Sequence, residues 1–278
     1  MPDVETTRLR LDIAYDGTDF HGWATQPKLR TVQGTLEDAL TAVLRLPEPA
    51  RLVVAGRTDS GVHATGQVAH VDLPTAKTAD LALVSRRLRG ALKRDPDLVV
   101  TGVAVAAEGF DARFSPLARR YEYRIADAAA QIDPLERHRV VQVHAVLDLR
   151  AMNEAAEMML GLRDFGAFCK PRAGATTIRE LQQFDWVRGE RGILIGHLRA
   201  DAFCHSMVRA LVGSSVAAGA EKLSLAALAG VRDAAERTSA FKVMPAHGLN
   251  LVEVIYPDDA VLAERAEQTR GRRDLPEE

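Results

Sequence analysis

Apolar residues alternate with polar or small ones along Leu9-Arg10-Leu11-Asp12-Ile13-Ala14-Tyr15, the two-residue period of a half-buried strand. Asp16-Gly17 supplies turn chemistry, and a loop through Lys28 carries Phe20, His21, Trp23 and Gln26. The period then changes. Val32, Leu36, Leu40, Val43 and Leu44 recur at helical spacing until Pro47 closes the run. Leu52-Val53-Val54-Ala55 predicts a short buried strand, and alternation resumes at Gln67, Ala69, Val71 and Leu73. A helix is expected from Asp80 to Arg94, with Leu81, Val84, Leu88 and Leu92 on one face, and a strand from Val99 to Val105.

The second half repeats the mixture. Arg119 to Ile125 alternates aromatics and predicts a strand. Asp148 caps a helix bearing Leu149, Met152, Ala156, Met159 and Leu160, with Gly161 as its stop. Strands are expected near Ile178–Val187, Ile193–Arg199 and Leu249–Ile255. Between them, Met207, Val208, Leu211, Val212 and Val216 mark a helix, and Ser224 caps a shorter one. Strands and helices in mixed order, without regular βαβ repeats, indicate an α+β fold with an antiparallel sheet. We expect an N-terminal half at 1–107, a second half at 108–257 and a charged tail at 258–278.

Composition narrows the class. The 278 residues are 47% hydrophobic and 27% charged, with a net charge of −2, which excludes wholesale disorder. No apolar run reaches the ~18 residues of a membrane span. The N-terminal stretch lacks the apolar core of a secretory signal. Cys169 and Cys204 cannot build a disulfide framework, so a reducing cytoplasm and buried free thiols are expected. No Cys-x-x-Cys or His-x-x-x-His spacing supports a metal site. Thirty arginines against six lysines suit an RNA-binding surface, since guanidinium forks grip phosphate and stack on bases, and they fit a plain arginine bias on a solvated face as well.

The polar loop Gly56-Arg57-Thr58-Asp59-Ser60-Gly61-Val62-His63 follows the buried strand, at the rim of a rigid core. Arg57 and Asp59 leave the same face of an extended chain and can pair, which would keep the carboxylate ionised and aimed as a nucleophile or a general base. A surface ion pair in a turn fits the same spacing. His63 reads as a residue that fixes the loop by hydrogen bonds.

With Ala64, this loop resembles the signature of the tRNA pseudouridine synthase A family. The Tyr15-to-Trp23 opening, Gln33, and Phe114-Ser115 followed by Arg119-Arg120-Tyr121-Glu122-Tyr123 are similar to the family's motifs. So are Asp164-Phe165 with Phe168-Cys169-Lys170, then Phe203 to Arg209, and Gly248-Leu249-Asn250-Leu251, all in order between about residues 8 and 256. The resemblance implies two similar α/β-sandwich halves, their mainly antiparallel sheets joined into one central sheet, with the active-site cleft between them. It implies isomerisation of uridine to pseudouridine at positions 38, 39 and 40 of the tRNA anticodon stem-loop, by a cytoplasmic homodimer needing no cofactor or metal.

It also implies roles. Asp59 would be the catalytic carboxylate, oriented by Arg57, which would also help fill the gap left by a flipped base. Arg209 would be a second partner of that carboxylate. Tyr121 would stack on the target uracil, and Leu249 would wall the pocket. An aromatic platform recovers part of the unstacking cost, and a dry pocket keeps water from the detached base. Arg10, Arg30, Arg119, Arg120 and Lys170 are the expected phosphate contacts.

Overall fold

The structure is a computed structural model and describes residues 5–171 and 176–271. In chain order its elements are β1 (Thr6–Tyr15), α1 (Val32–Leu44), β2 (Leu52–Val54), β3 (His63–Pro74), α2 (Thr75–Thr78), α3 (Leu81–Ala91), β4 (Leu98–Val105), β5 (Ala118–Ala126), β6 (Val141–Gln142), α4 (Leu149–Glu157), β7 (Gly161–Asp164), β8 (Ile178–Arg188), β9 (Leu194–Ala200), α5 (Met207–Gly219), α6 (Leu225–Ala234), β10 (Leu249–Ile255) and α7 (Leu262–Arg270). Helix starts fall where the side chains provide caps. Thr31, Asp80, Asp148 and Ser224 each accept a backbone N–H from the first turn of α1, α3, α4 and α6.

The chain forms two compact units, one of residues 5–117 with 251–271 and one centred on 118–250. In the first, the strand order is β4-β1-β3-β10, with β2 paired to β3. β1 lies antiparallel to both neighbours, Leu11 facing Ala69 on one side and Val103 on the other. Its alternation is realised as expected: Leu9, Leu11, Ile13 and Tyr15 are at most 5% exposed, while Arg8, Arg10 and Asp12 look the other way, half-buried. Leu36 and Leu40 of α1 and Val84 and Leu88 of α3 are buried in the same core.

In the second unit the order is β5-β9-β8-β7, antiparallel throughout, with the short β6 parallel to β5. Tyr121 of β5 faces Leu198 and Tyr123 faces Gly196. α4 and α5 are tied to the sheet through Trp186, whose indole N–H donates to Ser215 Oγ, itself donating to Met152 O.

Both units are α+β with mainly antiparallel sheets, as expected. The boundaries differ from the expected 107/108 and 257/258. The segment 108–117 stays with the first unit, where Ala112 N donates to His70 Nδ1 and Tyr256 Oη donates to Ala112 O. The residues after 257 are not a separate charged tail through 271. α7 buries Leu262 and Ala266, and Ser115 Oγ donates to Leu262 O; residues 272–278 lie outside the described residues. α4 ends at Glu157, and Gly161 opens β7 instead of stopping a helix. No helix among the described residues is long and apolar enough to cross a membrane.

Candidate active site

The polar loop lies between β2 and β3 of the first unit, and its backbone is fixed at nearly every residue. Gly56 O accepts from Gln67 Nε2 at 2.9 Å. Thr58 O accepts from Trp23 N at 3.0 Å, and Thr58 Oγ1 is 2.7 Å from Tyr15 Oη. Ser60 Oγ donates to Phe20 O at 3.1 Å, and Val62 N donates to Asp59 O at 3.2 Å. The 15–23 segment must come very close to do this. Gly22, at φ +86°, has room for no side chain, since a Cβ there would lie 2.9 Å from Thr58 O and 3.1 Å from Ser60 N. His63 Nδ1 lies 3.1 Å from both Gly17 N and Asp16 Oδ1, so the histidine pins the turn after β1 to the start of β3.

Asp59 is half-buried on this loop and Arg57 is exposed. The expected Arg57–Asp59 ion pair is not formed: Arg57 has no carboxylate partner among the described residues. The physical reason is the loop itself, which is a turn closed by the Val62-to-Asp59 hydrogen bond and not an extended strand.

Tyr121, Arg209 and Leu249 lie in the second unit. Tyr121 is 7% exposed and meets Phe203 edge-on, with ring centroids 5.2 Å apart at 87°. The neighbouring inward ring, Tyr123, donates from Oη to Pro245 O at 2.7 Å. Burial raises its pKa, against a smaller lowering by Arg209. Arg209 sits in the first turn of α5 and donates from Nε to Met244 O at 2.6 Å. The segment 244–249 therefore connects these groups within the unit. Gly248 lies against Tyr123, where a Cβ would be 2.7 Å from the ring, and the buried Leu249 follows.

Several expected roles change. Arg30 forms ion pairs with Asp95 and Asp97, both at 2.7 Å, and stacks over Phe20, so carboxylates already occupy it where a phosphate contact was expected. Arg10 pairs with Asp12 and lies over Tyr256. Arg119 is buried and donates to Asp201 O at 2.6 Å. Arg120 and Lys170 are exposed. Cys169 and Cys204, expected as buried free thiols, stand against each other with Cα atoms 5.7 Å apart, within the span of a disulfide, where the turn after β7 meets the segment entering α5. Tyr15 and Gln67 went unrecognised as part of the site. The available signal was an amide at an inward position of the Gln67-Ala69-Val71-Leu73 alternation.

The braced loop with Asp59 belongs to the first unit and the buried aromatic strand β5 to the second. A family model described as tRNA pseudouridine synthase matches residues 155–257. Over 98% of this chain and 99% of its own length, a tRNA pseudouridine synthase A of Leifsonia xyli is 57% identical. One from Frankia casuarinae is 53% identical over 97% of this chain and 96% of its own. Among solved structures, an archaeal box H/ACA Nop10–Cbf5 complex aligns at 11% identity and a TM-score of 0.29, over 75% of this chain and 43% of that one, too loosely to carry an argument. The chain belongs to the tRNA pseudouridine synthase A family and is an isomerase.

Proposed function

We propose that this protein isomerises uridine to pseudouridine at positions 38, 39 and 40 of the tRNA anticodon stem-loop, with Asp59 as the reacting carboxylate. The glycosidic N1–C1′ bond breaks, the uracil turns in its pocket, and C5 bonds to C1′; C5 then gives up its proton to solvent and N1 takes one up. One glycosidic C–N bond is exchanged for one C–C bond and one proton lost at C5 is matched by one gained at N1, so the isomerisation balances with no external oxidant or reductant. The Asp59 side chain starts it, either as nucleophile at C1′ or as base on the sugar. Arg57, exposed beside it, occupies the gap left by the flipped nucleotide. Tyr121 stacks on the uracil, Arg209 supplies a cation for the carboxylate, and Leu249 forms an apolar wall. The enzyme acts as a cytoplasmic homodimer, and its tRNA affinity falls steeply with salt as counterions are released.

The observation carrying this reading is the bracing of the residues on both sides of Asp59. A carboxylate that must meet one atom of an extruded nucleotide has to leave a fixed Cα. The test uses unmodified tRNA tritiated at uridine C5. Wild-type protein should release label, and Asp59→Asn should release none above background while still binding tRNA. Undiminished release by Asp59→Asn removes the assignment.

A further inference from the structure

Three buried side chains form a single polar chain beneath the Asp59 loop. Gln67 is fully buried, Tyr15 is 5% exposed and Thr58 is 7% exposed. The Gln67 amide orients the chain. Its oxygen accepts Val68 N–H at 3.2 Å, which leaves the NH2 group facing Gly56 O at 2.9 Å and Tyr15 Oη at 3.3 Å. Both amide hydrogens are thus used, one to the backbone at the start of the loop and one to the phenol. The Tyr15 hydroxyl, which accepts from Gln67, also lies 2.7 Å from Thr58 Oγ1 in a hydrogen bond that either hydroxyl can donate. The chain thus links Gln67 through Tyr15 to Thr58, the residue directly before Asp59.

Packing fixes the middle member. The Tyr15 ring lies against Phe20 and Trp23, with centroids 6.4 and 6.2 Å away, and Trp23 N holds the Thr58 carbonyl. Thr58 is therefore held by its hydroxyl and its carbonyl at once, and Gly56 by its carbonyl. Burial raises the Tyr15 pKa to about 12, so the phenol remains neutral throughout the range in which an aspartate carboxylate works.

We infer that Tyr15, Thr58 and Gln67 are positioning residues for the isomerisation: their hydrogen-bond chain sets the direction in which the Asp59 carboxylate leaves the loop. This rests on the reading of Asp59 as the reacting group. The three do not touch substrate. Their effect is on the fraction of bound complexes in which the carboxylate meets its target, so it falls on kcat and not on tRNA affinity.

Tyr15→Phe keeps the ring and removes the hydroxyl. It should lower the single-turnover rate about 10- to 100-fold, the loss expected for a small misplacement of a reacting group, with tRNA Kd changed less than about threefold. Thr58→Val, which replaces the hydroxyl by a methyl, should lose a similar factor, whereas Thr58→Ser should stay within about threefold of wild type. The Tyr15→Phe/Thr58→Val double variant should be no slower than the worse single variant, because both break one chain. If Tyr15→Phe does not fold, the Thr58→Val and Thr58→Ser pair decides alone. Wild-type rates in Tyr15→Phe and Thr58→Val beside an inactive Asp59→Asn overturn the inference and leave the Asp59 reading standing. A loss confined to tRNA affinity, or losses that multiply in the double variant, also overturn it. An active Asp59→Asn overturns the reading beneath it.

Discussion

The Asp59 loop and the Tyr121 platform are held by opposite means. The loop has little apolar substance of its own, and its shape comes from hydrogen bonds: Gln67 Nε2 donates to Gly56 O, the Tyr15 and Thr58 hydroxyls bond each other, and Trp23 N donates to Thr58 O. The platform sits within a paired strand and is kept in place by rings: Tyr121 edge-on to Phe203, and Tyr123 closed over by Gly248. In the proposed reaction, a stacking surface tolerates small shifts because a planar base can slide over it, so packing alone suffices. A carboxylate proposed to meet one atom cannot shift. Directional bonds on a turn serve that need, and because they are few, each should matter more.

That contrast can be broken in graded steps. The largest effect is expected from Gly22→Ala, which places a methyl against Thr58 O and Ser60 N at positive φ. Strain and overlap together should cost about 3 kcal/mol, read as a lower urea midpoint, and the catalytic rate should fall with it. Phe203→Ala should cost about 1–2 kcal/mol through the lost edge contact and packing, and should weaken substrate binding more than it slows chemistry. If Phe203→Ala slows single turnover as much as Gly22→Ala does, the distinction between aimed loop and tolerant platform fails.

The smallest effect concerns alkaline stability. The Tyr15 pKa is raised by burial to about 12, above the ordinary value near 10. A raised value means the neutral phenol is favoured in the fold, so its contribution is fully present below pH 10 and is lost as pH rises toward 12. Thermal unfolding followed from pH 8 to 11.5 should show wild type losing stability above pH 10, and Tyr15→Phe losing visibly less. Equal slopes would show that the buried phenol is not part of that decline.

Much of this was legible along the chain. The alternation of Leu9 to Tyr15, the helical stripe from Val32 to Leu44 and the caps at Asp148 and Ser224 are local signals, and the elements stand where those signals lie. The Gly56-to-His63 loop stood out because five polar groups sit within seven residues. β7 was hidden because Gly161 reads equally as the end of a helix, and only its pairing with β8 makes Leu162 and Arg163 a strand. Arg30 looked like a phosphate contact, since nothing near it in sequence shows that Asp95 and Asp97 already occupy its guanidinium.

Sequence alone determined most of the secondary elements, the α+β class and the polar loop that holds Asp59, because periodicity, capping and turn chemistry act within a few residues. Tertiary structure decided which polar groups meet: Gln67 with Tyr15 across 52 positions, Cys169 with Cys204 across 35, and the return of residues 251–271 to the first unit. Such pairings depend on how whole sheets and helices come together to bury apolar area, and the participating side chains carry no local mark of their distant partners.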